Sequence, residues 1–172
     1  ADINGDGKIT PADRTYLGSP VPTYTGGVNV GLTYKDFDLN MYVYASAGNK
    51  IWNQSKWFTD FYGTFEGSGK GERAKKSWTP ALGNAAEAPI WESASNISTS
   101  AAENSWYVED GDYIRLQNIS LGYKLPKNVI SKIGVKSAKL TLSANNLFTL
   151  TKYKGLDPGV GGAADTSFGI DV

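Results

Sequence analysis

The residues best placed to do chemistry open the chain. Asp2, Asn4, Asp6, Lys8, Thr10 and Asp13 occupy positions 1, 3, 5, 7, 9 and 12 of the stretch DINGDGKITPAD. That spacing is the oxygen pattern of an EF-hand calcium loop, with Gly7 at the sharp turn. The carboxylates of Asp2, Asp6 and Asp13, the amide oxygen of Asn4, the Thr10 hydroxyl and the Lys8 main-chain carbonyl would supply hard oxygens around one cation. Asp13 stands where such loops usually carry Glu, so its carboxylate reaches less far. Ca2+ is the predicted cofactor, because Mg2+ demands a stricter octahedral shell. No entering helix is visible, so the loop is expected to staple structure and not to sense calcium. The alternative is an Asx-rich turn without metal.

Other chemistry is excluded by composition. The chain has no histidine and no cysteine. A Ser-His-Asp triad, a Cys-His pair, thiolate or His-ligated metal sites and disulfide frameworks are therefore absent. An enzyme would have to run on carboxylates, Lys or Tyr, and no spacing pairs the carboxylates convincingly; the chain reads as a non-enzyme. Seventeen basic and 17 acidic side chains give zero net charge, unlike the basic excess of a nucleic-acid binder.

Aromatics are the other chemical signal. Trp, Tyr and Phe make up 12% of the 172 residues, and all five tryptophans fall between 47 and 112. Large aromatic faces stack on the C–H faces of sugar rings. Trp57, Tyr62, Trp78 and Trp91 are candidate ligand contacts, against the alternative that they pack the loop onto its neighbours.

These residues need elements to hold them. Residues 1–18 read as a polar loop running into a short helix, with Thr10 as its cap and Pro11 at its first position. Residues 19–23, SPVPT, form a stiff connector. Residues 24–34 and 37–46 alternate apolar with polar around Lys35–Asp36, which predicts a β-hairpin. Val28, Val30, Leu32, Leu39, Met41 and Val43 share one face, and Asp38, Asn40 and Tyr42 the other. Residues 113–125 form a third strand. Ile114 and Leu116 have the opposite parity to Ile119, Leu121 and Tyr123, so a bulge is expected near Gln117–Asn118. Residues 126–136 are a connector with at most one helical turn, and 137–149 form a fourth strand. The 66 residues 47–112 lack periodicity and are expected to hold only short helices, near 53–62 and 71–78. Residues 150–172 read as a Gly- and Asp-rich loop with no closing element.

The fold class is thus all-β, with long antiparallel strands. No apolar run approaches the ~18 residues of a membrane-spanning helix. Transmembrane strands, though, need only ~9–11 residues and leave a weak hydropathy signal. Three features favour such strands over a half-buried soluble sheet. The strands are long. Their polar faces carry Asn, Thr, Ser, Tyr and Gly with few charges. Connections alternate short with very long, as in outer-membrane barrels. On that pattern 35–36 and 126–136 face the periplasm, and 1–23, 47–112 and 150–172 face outside. The chain starts at Ala1 without a signal peptide, which suggests a fragment or a mature piece.

Three blocks carry a resemblance. They are DINGDGKITPADRTYLGSPVPTYTGGVNVGLTYKDFDLNMYVYASAGNKIWN, YVEDGDYIRLQNISLGYKLPKNVI and KLTLSANNLFTLTKYKGLDPGVGG. Together and in this order the chain resembles the C-terminal barrel region of the SusC/RagA family, TonB-dependent outer-membrane transporters of Bacteroidetes. The resemblance implies a plugged barrel of about 22 strands, with a SusD-like surface lipoprotein over its outer mouth. It implies oligosaccharide or peptide cargo, and TonB contact through an N-terminal region that this sequence does not contain. It divides the chain into an extracellular calcium-like loop and short helix (1–23), a transmembrane hairpin (24–46), a long extracellular loop (47–112), a second transmembrane hairpin (113–149) and a final extracellular loop (150–172). Family members end in one more strand with a terminal aromatic, whereas this chain stops at Asp171-Val172. The competing function is a soluble, calcium-stabilised, β-rich carbohydrate-binding module.

Overall fold

The computed structural model describes residues 3–8, 10–61, 69–91, 104–131, 134–160 and 169–171. Seven strands lie among them: β1 (Tyr24–Tyr34), β2 (Phe37–Ala47), β3 (Lys50–Asn53), β4 (Val108–Asp110), β5 (Tyr113–Lys124), β6 (Lys139–Thr151) and β7 (Ile170–Asp171). Two short helices accompany them, α1 (Ser55–Thr59) and α2 (Lys127–Ile130). No helix among the described residues is long and apolar enough to cross a membrane, which says nothing of strands.

The long strands form one antiparallel sheet in the order β1-β2-β5-β6. They run 11, 11, 12 and 13 residues. Lys35 and Asp36 make the expected two-residue turn between β1 and β2. Lys35 adopts a φ of 54°, the positive value that tight hairpin turns favour at their first central residue.

The register sorts side chains by chemistry. Directly paired residues share a face, so Val28–Val43–Leu116–Phe148 and Leu32–Leu39–Leu121–Leu142 form rows on one side. The bulge falls at Gln117. Leu116 pairs with Val43 and Asn118 with Tyr42, which leaves Gln117 without an opposite number on β2. Across β6 the pairing steps from Phe148 to Asn145, past Asn146 at φ 50°. Without that insertion Ile114 and Leu116 would point to the polar side. With it, they join Ile119, Leu121 and Tyr123.

Apart from Leu116, this apolar face is exposed or half-buried. Leu142 is 75% exposed and Val28 63%, with Leu32, Phe37, Leu121, Leu140 and Phe148 exposed beside them. Soluble monomers seldom show an apolar patch of this breadth.

Beyond the ends of β2, β5 and β6 lies a second, three-stranded sheet in the order β4-β3-β7. β3 pairs antiparallel with β4 and parallel with β7. The expectation for 47–112 is corrected here. Besides α1 and 3-10 turns at Glu72–Lys76, Gly83–Ala85 and Ser105–Tyr107, that excursion holds β3 and β4. They are four and three residues long, well short of the ~9–11 of a spanning strand. The segment after 150 is corrected too: β6 continues to Thr151, and β7 closes on β3. Both pairings join residues distant in sequence, so no local alternation announces them. The buried apolar residues Ile51, Phe61, Tyr107 and Tyr153 belong to this smaller unit.

Candidate functional site

Three regions could carry function: the polar face of the long sheet, the loop before residue 14, and the unit built on β3, β4 and β7, outer only in lying beyond the ends of the long strands.

The polar face presents Thr25, Asn29, Asn40, Tyr42, Tyr44, Asn118, Ser120, Ser143 and Asn145, as the register requires. Asn118 Nδ2 donates to Asn145 Oδ1 at 2.8 Å. Tyr42 lies over Gly27, where an added Cβ would stand 2.6 Å from ring carbon Cε2. Two ion pairs lie on this face. Lys139 Nζ donates to Asp38 Oδ2 at 2.8 Å. Arg115 donates to Thr149 Oγ1 at 2.9 Å, pairs with Asp157 and covers the Tyr113 ring. The surface therefore offers amides, hydroxyls and aromatic faces with little fixed charge.

In the N-terminal loop, Asn4, Asp6 and Lys8 form a tight local turn. Asp6 N donates to Asn4 Oδ1 at 3.0 Å, Lys8 N to Asp6 Oδ1 at 2.8 Å, and Asn4 Nδ2 to Asp6 Oδ2 at 3.2 Å. Gly7 has φ +80°, the left-handed conformation the sharp turn needs. Asp13 is drawn into the backbone. Its Oδ1 accepts from Ile3 N at 2.8 Å and Asn4 N at 3.3 Å, and its Oδ2 from Thr10 N at 2.7 Å. The Thr10 amide, and then that of Ile3, hold the Asp13 carboxyl below its ordinary value. Thr10 and Asp13 make a capping box around the 3-10 turn Pro11–Asp13, so the predicted short helix is a single turn. Asp2 lies outside the described residues. Among the described residues no three acidic side chains gather as a metal cluster. Asp6 keeps lone pairs beyond the two bonds its carboxylate accepts, whereas Asp13, which also accepts from Thr10 Oγ1 at 3.4 Å, has all four of its sites engaged within the loop.

The predicted aromatics are spread over the outer excursion. Trp57 sits on α1, edge-on to Phe58 at 5.0 Å between ring centroids. Trp78 and Trp91 lie on the 69–91 segment and are each 43% exposed; the Trp78 amide donates to Ala88 O at 2.9 Å. Tyr62 lies outside the described residues. Trp52 and Trp106 are structural instead. Trp52 stacks on Tyr107 at 4.6 Å, and the Trp106 ring faces Lys56 Nζ at 4.6 Å. Burial, and then the charge of Asp60, pushes the Tyr107 hydroxyl up to about 12.

The outer unit holds a polar network that sequence reading missed. Glu109 Oε1 is 2.7 Å from Lys56 Nζ and accepts from Asn53 Nδ2 at 3.1 Å. Glu109 Oε2 accepts from the Lys154 amide at 3.0 Å. Burial alone would raise the Glu109 carboxyl; the bonds from Lys56, Lys154 and Asn53 outweigh it and hold the group below its ordinary value. Asp171 Oδ2 accepts from Tyr153 OH at 2.6 Å and from Leu156 N at 2.8 Å. Burial and the Asp171 bond push the Tyr153 hydroxyl up. These partners lie far apart in sequence and share no motif, so no spacing could have revealed them. A cavity of ≈ 210 Å³ opens beside this unit, lined by Leu17, Pro20, Ile51, Trp52, Val108 and Ile170 among others.

No family model matches the chain. Individual proteins do. The chain is 36% identical over 166 residues to TonB-dependent receptor P3 of Formosa agariphila, covering 92% of this chain and 15% of that protein. It is 25% identical over 171 residues to TonB-dependent receptor SusC of Bacteroides thetaiotaomicron, covering 96% of this chain and 16% of that protein. Among solved structures, the RagAB peptide transporter matches with a TM-score of 0.67 and 28% identity, over 86% of this chain and 16% of that one. The RagAB peptide importer in its open-open state matches at a TM-score of 0.64 and 26% identity, over 87% of this chain and 15% of that one. The chain thus spans 15% to 16% of the length of these relatives.

Proposed function

This chain belongs to the SusC/RagA-type TonB-dependent receptors, and from that premise we propose that it forms part of the wall and outer mouth of an outer-membrane nutrient importer. One observation carries the reading. Four adjacent strands of 11 to 13 residues expose a continuous apolar face and turn amides and hydroxyls to the other side. In water that arrangement would drive aggregation. In a bilayer it is the alternation of a barrel wall, lipid-facing on one side and lumen-facing on the other. The open edges of β1 and β6 would pair with further strands of a barrel of about 22. A soluble carbohydrate-binding module is disfavoured by the same face. The activity is passage of cargo and not catalysis.

Position gives the other parts their roles. The short turns at Lys35–Asp36 and around α2 face the periplasm, and the outer unit stands at the extracellular mouth. A SusD-like lipoprotein docks over that mouth, and TonB engages elsewhere in the receptor. The cargo is an oligosaccharide or, as the name of the RagAB relative has it for that protein, a peptide. Trp57, Tyr62, Trp78 and Trp91 are the contacts proposed for it. Loop 2–13 holds Ca2+ through Asp2, Asn4, Asp6, the Lys8 carbonyl, Thr10 and Asp13. The left-handed Gly7 and the turn that draws Asn4, Asp6 and Lys8 together support that fit. A site with Kd of about 10⁻⁴–10⁻³ M, as in extracellular modules, would be filled outside the cell.

Single cysteines placed in this cysteine-free stretch, with any cysteine elsewhere in the receptor replaced, report position. Leu142→Cys and Val30→Cys in the intact receptor, spin-labelled in lipid nanodiscs, should be accessible to oxygen and shielded from a water-soluble nickel chelate. Ser143→Cys and Asn29→Cys should show the reverse. Equal accessibility of both sets would refute the wall assignment. Calorimetry on the intact receptor in detergent should show a calcium-binding heat that Asp6→Ala removes while the strands stay folded. No such heat would leave only the Asx-turn.

A further inference from the structure

Charge is unevenly placed along the long sheet, although the chain as a whole is neutral. Residues 34–38 and 123–140, which make its two short connections, contain six lysines and two aspartates and no other charged residue. The rest of the chain therefore carries four more acidic than basic side chains. One lysine is accounted for, because Lys139 bonds Asp38 on the polar face. Lys35, Lys124, Lys127 and Lys136 are exposed, and none of them enters an ion pair among the described residues. Main-chain bonds gather these residues at one rim. Lys124 N donates to Asp36 O at 2.8 Å, which joins the end of β5 to the Lys35–Asp36 turn. Leu125 N donates to Ala138 O at 2.9 Å, which closes the base of the connector that holds Lys127 and Lys136. An aromatic row lies just inside the lysines. Tyr34, Phe37, Tyr123 and Leu140 stand opposite one another on the apolar face. Phe37 stacks on Tyr123 at 4.5 Å between ring centroids, and Lys35 Nζ lies 5.3 Å from the centre of the exposed Tyr34 ring. The connector repeats the mixture, with Val129 and Val135 exposed close in sequence to Lys127 and Lys136. Exposed apolar side chains interleaved with unpaired lysines are poorly suited to water. They fit a bilayer interface, where aromatic rings sit at headgroup level and lysine stems lie along apolar surface while the ammonium reaches a polar one.

We propose that this rim binds anionic phospholipid headgroups of the leaflet next to the periplasm, with Lys35, Lys127 and Lys136 on their phosphates and the Tyr34–Phe37–Tyr123 row at the acyl boundary. The inference rests on the wall assignment and deepens it, since it says which lipid this part of the wall selects. Charge complementarity chooses the occupant. A zwitterionic headgroup brings no net charge, whereas a phosphatidylglycerol headgroup brings a negative one to a rim with positive charge in excess. Position chooses the lysines. The Lys35 ammonium stands beside Tyr34, a residue of the apolar face, whereas Lys124 lies opposite Lys139 on the polar face and is left out. The competing account is that the lysines only solvate two turns.

Native mass spectrometry of the intact receptor in detergent, titrated with phosphatidylglycerol or with phosphatidylcholine of the same acyl chains, separates the two. The natural receptor should retain phosphatidylglycerol at the lower concentration. Lys35→Gln, Lys127→Gln and Lys136→Gln combined should abolish that preference and leave retention of phosphatidylcholine unchanged. Each single change should weaken phosphatidylglycerol binding by up to about fivefold, the scale for one lysine at an anionic surface. Lys75→Gln, Lys152→Gln and Lys154→Gln combined, an equal loss of charge in the excursion and after β6, should keep the preference intact. No preference in the natural receptor, a preference that survives the rim variant, or one lost equally in the control variant overturns the proposal. Whole cells read the side of the membrane. Lys35→Cys, in the same cysteine-free background, should stay out of reach of a bulky, membrane-impermeant maleimide added outside; labelling would put this rim at the outer surface and overturn the leaflet assigned. The wall assignment fails separately, through equal accessibility of the Leu142→Cys and Ser143→Cys labels in nanodiscs.

Discussion

Lys139 Nζ reaches Asp38 Oδ2 at 2.8 Å across the bare backbone of Gly122. Asp38 lies on β2 and Lys139 on β6, with β5 between them. The pair spans a whole strand only because that strand has no side chain at this point. A Cβ at Gly122 would stand 2.6 and 2.7 Å from the two Asp38 oxygens and closer still to the Lys139 side chain. Both partners are partly exposed, so the pair has room to swing aside. Exposed ion pairs contribute about 0.2–1 kcal/mol. Gly122→Ala is therefore expected to displace the pair and shift the stability of the receptor by less than about 1 kcal/mol. Lys139→Ala should cost a similar amount, and the double variant no more than either. A thermal melt of the three variants checks this; additive losses would mean the pair does not bridge β5.

The two faces of β6 should respond oppositely to charge. Leu142 is on the apolar face and Ser143 on the polar one. A lysine on the lipid side of a barrel costs about 2–4 kcal/mol at the midplane and less toward the interfaces. Leu142→Lys should lower the yield of folded receptor in the outer membrane, and Ser143→Lys should be tolerated. Heat-modifiable migration on a gel reads the folded fraction.

The buried pair in the outer unit should be far more sensitive than the pair over Gly122. Lys56→Met leaves Glu109 buried without its cation, a loss of about 3–5 kcal/mol for such pairs. Lys56→Met combined with Glu109→Leu removes both charges and should recover much of that, although the Lys154 and Asn53 donors lose their acceptor. Protease resistance of residues 47–112 in the intact receptor would rank the three forms.

Much of this could be read from the sequence, for a physical reason. β1, β2, β5 and β6 alternate with period two over many residues, and the parity break at Gln117 marked the bulge. β3, β4 and β7 are two to four residues long, too short for any period to register. β7 finds its partner β3 more than a hundred residues away, with Trp52 opposite Ile170. The bond from the Lys154 amide to Glu109 was hidden likewise, because nothing local links the two residues. The tryptophans were only half legible. Composition flagged all five, but only the fold separates Trp52 and Trp106, packed on Tyr107 and Lys56, from the exposed Trp78 and Trp91. Trp52→Ala should accordingly loosen the unit built on β3, β4 and β7, whereas Trp78→Ala should leave its protease resistance unchanged and, on the proposed function, weaken only cargo uptake.

Asp13 decides how the N-terminal loop behaves in acid. Its carboxylate collects the amides of Thr10, Ile3 and Asn4, and the charged form accepts them best. The carboxyl is thus held below its ordinary value in the folded loop. A group depressed on folding stabilises fully above its unfolded pKa, about 3.9 for Asp, and that contribution is lost as pH falls through the folded value. Protection of the Ile3 and Thr10 amides, corrected for the intrinsic exchange rate, should stay level from neutrality to about pH 4 and fall below it. Asp13→Asn should abolish that pH dependence and lower protection at neutral pH to the level the natural loop reaches once Asp13 is protonated, since one amide oxygen cannot serve donors now shared by two. Asp6→Ala removes the bonds to Lys8 N and from Asn4 Nδ2 but leaves the donors around Asp13 in place. If the loop holds calcium, added calcium should raise protection at Thr10 in the natural sequence and fail to do so in Asp6→Ala. If the loop is an Asx-turn alone, calcium should change neither, and the acid transition of Asp13 should be the only one seen.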